Sequence, residues 1–327
     1  MLASRPNAPR WRLILSFAAI YFLWGGSFLA IRFSLETIPT FMISFARFAC
    51  AGVILMTVAW RSGAPRPTWA QWRTAAILGF IMFFGANSTL VAGQRTVASG
   101  LAATLYATLP LWMAVLGWLW QGEDRPRGRV LVGLVLGFAG VVLMFGGGGS
   151  GIDPTGGLLV IASAIFWAVG SLLSRKVDKP QSSAMASGMN LFCSGLMFLI
   201  VSVFSGEPAQ LHISMISLKS WLALLYLIVG SSVVAFSCYM WLLSVTSTSR
   251  VATYAYVNPV VALFIGALAG EVLDARELVA ALVIVVAVAL ITSARSKTVA
   301  AESPIAEGGF SVRSRWKALR GIGRTSS

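Results

Sequence analysis

The long apolar runs of this sequence contain few polar side chains, and those few are the groups most able to bind a solute. Trp24 and Ser27 lie one turn apart in the first run. In a bilayer such groups face a wet cavity or bond to other helices, because contact with lipid is costly. An aromatic wall with a few hydrogen-bonding groups suits a small organic solute. The residues predicted to line such a cavity are Trp24, Ser27, Asn87, Tyr106, Trp167, Tyr239, Tyr256 and Asn258.

Two prolines lie in the middle of apolar runs, at Pro110 and Pro259. Proline removes a backbone N–H and clashes with the carbonyl four residues earlier, here those of Tyr106 and Ala255. Matched helix interruptions in two halves of a chain indicate a transporter binding site. The alternative is a pair of packing kinks.

Ionisable groups are scarce in these runs. Arg47 is a deep-lying cation that either recognises a carboxylate or phosphate or extends to the outer interface. Glu123 and Glu271 lie at the ends of runs, as possible charges at the rims of a cavity. The one histidine, His212, lies in a loop, so the pattern lacks the His–Ser pair of a serine protease and any clustered metal ligands. We therefore expect no enzyme, no metal and no cofactor.

The composition indicates an integral membrane protein. Of 327 residues, 57% are hydrophobic and only 11% are charged, against about 25% charged in a soluble domain. At roughly 20 residues a span, the chain accommodates ten helices. The fold predicted is all-α, with spans at 13–34, 39–60, 73–93, 99–120, 128–146, 155–175, 183–204, 220–243, 249–270 and 276–293.

We attribute the net charge of +14 to the orientation of the chain in the membrane, and not to nucleic-acid binding. With the N-terminus inside, twenty of the 25 Lys and Arg residues fall on the inner side. This bias predicts that both termini, residues 1–12 and a basic tail at 294–327, are cytoplasmic. The tail segment 310–320 is either an interfacial helix on anionic lipid or a disordered basic tail.

The two halves of the chain resemble each other. "GSFLAIR" at 26–32 parallels "GSLLSRK" at 170–176, and Pro110 and Glu123 parallel Pro259 and Glu271. Five helices a repeat is an odd number, so the second copy enters the membrane from the opposite side, which makes an inverted repeat. The predicted segments are a first repeat at 13–146, a connector at 147–154 and a second repeat at 155–293.

Three stretches, 22–47, 98–123 and 256–271, resemble the EamA family of the drug/metabolite transporter superfamily. The matching features are the W-G-x-S-F start, the Arg in helix 2, the mid-helix Pro and the Gly-Glu that ends helices 4 and 9. The resemblance implies two tandem EamA repeats around a central cavity, in an inner-membrane carrier that exports amino acids, related metabolites or drugs. Trp167 departs from the W-G-x-S spacing.

We expect a secondary transporter working by alternating access, with an exporter favoured over an importer or exchanger. A non-transporting membrane scaffold is the alternative from another class. The expected partners are a small-molecule substrate and the lipid bilayer, with no nucleic acid and a possible homodimer.

Overall fold

The structure, a computed structural model, describes residues 9–123, 125–145, 153–246 and 248–301. Within these ranges the regular structure is helical, and ten apolar helices account for most of it. They are α1 (Arg10–Ser34), α2 (Thr40–Arg61), α3 (Trp69–Gly93), α4 (Ser99–Trp120), α5 (Arg129–Phe145), α6 (Pro154–Leu173), α7 (Ser183–Phe204), α8 (Leu218–Leu242), α9 (Tyr254–Leu268) and α10 (Ala275–Ala294).

The predicted ten-helix fold is confirmed. Eight helices are long and apolar enough to cross a bilayer, and α5 and α9 are shorter, with 17 and 15 residues. A separate helical turn, Thr248–Val251, precedes α9. The last helix runs on to Ala301, beyond the predicted end at 293. Most of the connector and the tail segment 310–320 lie outside the described residues.

Successive helices alternate direction, so the loops fall into two groups. The loops α2–α3, α4–α5, α6–α7 and α8–α9 lie on one side, here called the basic face because of residues such as Arg61, Arg127 and Arg175. The loops α1–α2, α3–α4, α7–α8 and α9–α10 lie on the other side, here called the opposite face.

The contacts between helices are symmetric. If each helix is replaced by the helix five positions along the chain, the same pairs of helices are in contact. The helix α2 packs on α7, α4 on α9 and α5 on α10, while α1 packs on α8 and α9 just as α6 packs on α3 and α4. The two repeats are therefore related by a pseudo-two-fold relation that inverts one against the other. They interlock: α1, α8 and α9 form a first bundle, and α3, α4 and α6 form a second bundle.

Four of the helices are irregular. The chain turns at Gly26 within α1 and at Ala107–Thr108 within α4. One segment of α3, Gly79–Gly85, is a π-helix, and so is Tyr226–Val234 in α8. These π-segments occupy matching positions of the two repeats, and π-helices occur frequently at functional sites.

The crossing of α2 and α7 depends on glycine. A Cβ on Gly52 would lie 2.6 Å from the Phe192 amide nitrogen and 2.8 Å from the Gly188 carbonyl oxygen. A Cβ on Gly188 would in turn meet the backbone of Gly52 and Met56. Small residues let membrane helices approach this closely, and packing between them is what holds them together in lipid.

We expect Gly52→Ala to destabilise the fold by about 1–3 kcal/mol, because the methyl group meets backbone atoms that cannot move independently. The measurement is thermal unfolding of the purified protein in detergent. The matched control is Gly230→Ala, where the nearest atom is the tip of the Leu23 side chain at 3.3 Å. Equal melting temperatures for the two variants would contradict the close crossing.

Candidate functional site

A cavity of about 720 Å³ lies at the centre of the fold. Ligand pockets for small organic molecules run from about 300 to 1,000 Å³. The first bundle lines one side and the second bundle the other, while α2 and α7 supply Arg47, Phe48, Asn190 and Leu191. Both repeats therefore contribute to each wall.

The cavity reaches the basic face and stops short of the opposite face. Its lining includes the exposed residues Lys179, Gln181 and Ser183 at the basic face. Toward the opposite face the lining residues Phe28, Ile31 and Leu90 are buried or half-buried.

Seven of the eight residues predicted to line a cavity are brought together around this one. They are Trp24, Ser27, Asn87, Tyr106, Trp167, Tyr239 and Asn258. Their part in binding a substrate stays a prediction.

Tyr256 is the exception, because it packs against the hydrophobic cluster of α4, α5 and α10 and does not line the cavity. At 100° a residue, it lies on the helix face away from Tyr254 and Asn258. Sequence reasoning missed Tyr254 as a cavity residue, although its four-residue spacing from Asn258 signals it. Asn190 of α7 was missed as well.

Trp24 joins the first bundle together. Its ring lies 5.3 Å from Tyr239 and 5.0 Å from Tyr254, centroid to centroid. Its indole N–H donates to the Ser231 carbonyl oxygen at 3.0 Å. That carbonyl belongs to the π-segment of α8, so the indole supplies a donor where the regular helical ladder is disturbed.

The second bundle repeats this arrangement with other residue types. Trp167 packs edge-on against Phe83 in the π-segment of α3, with the centroids 5.2 Å apart. The Ser163 hydroxyl donates to the Ala86 carbonyl oxygen, just after that segment, at 2.6 Å. Trp167 thus occupies the position that Trp24 has in the first bundle, despite its weaker sequence match.

Some polar side chains of the cavity form hydrogen bonds within the protein, and others have atoms that form none. The Asn87 amide donates to the Ser44 hydroxyl at 2.7 Å, and the Ser27 hydroxyl donates to the Trp24 carbonyl oxygen at 2.5 Å. The Asn258 side-chain oxygen is buried and accepts no hydrogen bond from the described residues. Asn258 lines the cavity with other atoms, because this oxygen itself is buried.

Arg47 is not a rim charge and does not extend to the outer interface. Its guanidinium lines the cavity, where Nε donates to the Ser232 hydroxyl at 3.1 Å and Nη2 donates to the Ser231 hydroxyl at 3.2 Å. The Arg47 Cζ also lies 5.1 Å from the centroid of the Phe48 ring. The hydroxyls of α8 hold the guanidinium inward, which local sequence could not indicate.

The two prolines differ in their effect. Pro110 lies in the first turn of the second half of α4, directly after the interruption at Ala107–Thr108. Pro259 lies inside the continuous helix α9, and the chain is interrupted instead before Tyr254. The predicted helix break is therefore found beside Pro110 but not at Pro259, and both prolines line the cavity. Their part in gating stays a prediction.

Glu123 and Glu271 form equivalent ion pairs at the two faces. Arg175 donates to Glu123 at 2.9 Å on the basic face, and Arg32 pairs with Glu271 on the opposite face. The sequence repeat already relates Arg32 to the 175–176 pair and Glu123 to Glu271. Neither glutamate lines the cavity.

Glu271 also binds the start of α4. Its carboxylate accepts the backbone N–H groups of Ser99, at 2.9 Å, and Gly100, at 3.1 Å. Burial favours the neutral carboxyl, but hydrogen bonds from Ser99 and Gly100 and the neighbouring Arg32 outweigh burial and lower the pKa of Glu271. The carboxylate therefore stays ionised at neutral pH and joins α9 to α4 across the opposite face.

Comparison with known proteins identifies the family. The sequence profile of the EamA-like transporter family matches residues 11–146 and 154–293. The uncharacterized inner membrane transporter YedA of Escherichia coli (strain K12) is 33% identical over 276 residues, covering 84% of this chain and 88% of YedA.

Two further matches have lower sequence identity. The uncharacterized transporter YvbV of Bacillus subtilis (strain 168) is 27% identical over 268 residues, covering 78% of this chain and 83% of YvbV. A solved crystal structure, 19% identical, has a TM-score of 0.60 and covers 90% of this chain and all of that one, which supports the fold. The chain is a membrane transporter that belongs to the EamA-like transporter family.

Proposed function

We propose that this chain is a secondary carrier that exports a small organic metabolite from the cytoplasm by alternating access. In this proposal the basic face is cytoplasmic, because Lys and Arg collect on the cytoplasmic side of membrane proteins. The observation that carries the proposal is the central cavity, which reaches the basic face and is closed toward the opposite face. Such a state accepts its substrate from the cytoplasm.

Three contacts between the bundles close the opposite face. Phe28 of α1 packs edge-on against Tyr106 of α4, with the centroids 5.9 Å apart. The Gln94 amide donates to the Phe28 carbonyl oxygen at 2.9 Å. The third contact is the Glu271 carboxylate on the N-terminus of α4. All three must break before the cavity can open to the opposite side.

The transport motion is then a rocking of the first bundle against the second. Contacts inside each bundle are short and direct, as between Tyr226 and the Leu23 carbonyl oxygen at 3.1 Å, and between Ser163 and Ala86. The moving bodies thus mix helices of both repeats and are not the two repeats themselves.

The driving force follows from the lining. Within the described residues, the cavity is lined by no Asp, Glu or His. Glu271, with its lowered pKa, is ionised throughout the physiological range and is a poor proton carrier. We propose that the substrate gradient drives net export. Net uptake, or exchange of one solute for another, would contradict this proposal.

Export is tested with cells that overproduce the protein, with Trp24→Ala as the control variant at matched membrane abundance. We expect at least one metabolite to accumulate outside only with the intact protein, because Trp24 joins the wall of the cavity to α8. Untargeted mass spectrometry of medium and cells measures it. Net accumulation inside the cells would contradict export, and no difference for any metabolite would contradict a metabolite carrier.

The closure at Glu271 is tested with a cysteine at Ile31 and a membrane-impermeant thiol reagent applied from the opposite side. We expect Glu271→Gln to speed labelling about tenfold, because a charged acceptor at a helix N-terminus contributes about 1–2 kcal/mol more than a neutral one. The matched control is Glu36→Gln, which removes an exposed partner of Lys219 on the same face. Equal labelling rates in the two variants would refute the closure.

The pH dependence of the same labelling has a definite sign. A carboxyl with a lowered pKa stabilises the closed state above its ordinary pKa of about 4.3, and this stabilisation is lost as pH falls through the lowered value. With Arg32 as its paired cation, Glu271 should keep the closure intact from about pH 5.5 to 8. Because labelling also rises with the thiolate fraction of the cysteine, each rate is divided by that of Glu271→Gln at the same pH, and this ratio should stay low and constant. A rise in the ratio within that range would show that a different group controls the closure.

A further inference from the structure

The guanidinium of Arg47 lies in the cavity without a counter-charge. Its two hydrogen bonds go to the neutral hydroxyls of Ser231 and Ser232. A guanidinium has five N–H donors, so the remaining donors have no acceptor among the described residues. The hydroxyls orient the group but do not neutralise it.

The carboxylates nearest the cavity are committed elsewhere. Glu207 accepts the backbone N–H groups of Phe41 and Met42, at the start of the helix that carries Arg47. Glu271 binds Arg32 and α4, and Glu123 pairs with Arg175. Within the described residues, the hydrogen bonds of Arg47 go to serine hydroxyls and no carboxylate lines the cavity.

An uncompensated cation at this depth is costly. An ionisable side chain inside a membrane protein is normally paired or serves a pathway for a solute. Removal of a charge from water without a partner is unfavourable in a protein interior. An anion that enters from the cytoplasm would recover this cost, which makes anion binding favourable where the binding of a cation is opposed.

The rest of the lining describes the body of the ligand. Aromatic rings surround the cavity, so the body is apolar or planar. A second cation, Lys179, lies exposed at the mouth of the cavity, so Arg47 is the one cation deep in the described lining. A phosphate dianion bound there would have only one of its two charges neutralised.

We propose that the cavity binds a monoanionic organic acid whose carboxylate pairs with the free side of the Arg47 guanidinium. This substrate class rests on the proposed function, since it assumes that the cavity is the transport site. The planar guanidinium fork matches a carboxylate in two parallel hydrogen bonds. Organic cations are disfavoured, because the Arg47 charge repels them and within the described residues no carboxylate lines the cavity to receive them.

The charge preference is tested in the full chain, with Cys50, Cys193 and Cys238 replaced by serine and one cysteine introduced at Ala103 or, separately, at Asn87. Asn87 bonds to Ser44, which lies three residues from Arg47 on α2. Two methanethiosulfonate reagents of similar size are compared, the anionic sulfonatoethyl and the cationic trimethylammonioethyl forms. The ratio of their rates cancels any effect of Arg47 on the ionisation of the cysteine itself.

We expect the anionic-to-cationic rate ratio to exceed that of 2-mercaptoethanol in solution by at least about tenfold, since a unit charge nearby acts on both reagents with opposite sign. Arg47→Gln should lower the ratio at least about tenfold, and Arg47→Lys should preserve it, because Lys keeps the charge. A ratio equal to that of the free thiol, or one unchanged in Arg47→Gln, would overturn the proposal while leaving the cavity intact. Failure of both reagents to reach either cysteine from either side would instead refute the accessible cavity, and with it the proposed function.

Discussion

A bilayer offers no water to hydrogen-bond a freed backbone group, and the rest of this structure depends on that constraint. Every irregular helix must find its missing partners inside the protein. In three of the four irregular helices, a side chain of the other repeat donates at or beside the irregular segment: Trp24 to α8, Tyr226 to the Phe22 carbonyl oxygen of α1, and Ser163 to α3. In the fourth, α4, the Thr108 hydroxyl donates to the Leu105 carbonyl oxygen of the same helix. The irregular segments lie where the repeats meet, and the cavity lies at the same place.

Because the repeats are inverted and interlocked, the same Arg–Glu arrangement occurs once at each face of the protein. Each bundle carries an Arg–Glu pair at the end of its helices, Arg32–Glu271 in one and Arg175–Glu123 in the other. The pairs are equivalent by the two-fold relation but differ in burial: the Glu271 side chain is 3% exposed, the Glu123 side chain 35%. This asymmetry accompanies a cavity closed at one face and open at the other.

Much of the fold could be predicted from the sequence, because apolar length and charge bias are local properties. The predicted spans agree with most of the observed helices to within a few residues, apart from the later start of α9 and the longer last helix, and Pro110 does follow an interruption. The direction of the Arg47 side chain could not be predicted, since it depends on two serines 184 and 185 residues away. The π-segments leave no clear local pattern, and Tyr256 was misplaced because aromatic type was weighed above its position around the helix.

The most direct test of rocking bundles is a pair of distances measured by double electron–electron resonance in lipid nanodiscs. One spin-label pair joins Trp11 of α1 to Trp69 of α3 at the basic face, and the other joins Leu158 of α6 to Leu218 of α8 at the opposite face, all on exposed side chains. If the bundles rock about the central cavity, the Glu271→Gln substitution shortens the first distance and lengthens the second. Distances that lengthen together, or that both stay fixed while the substitution removes the closure, would contradict alternating access by these bundles.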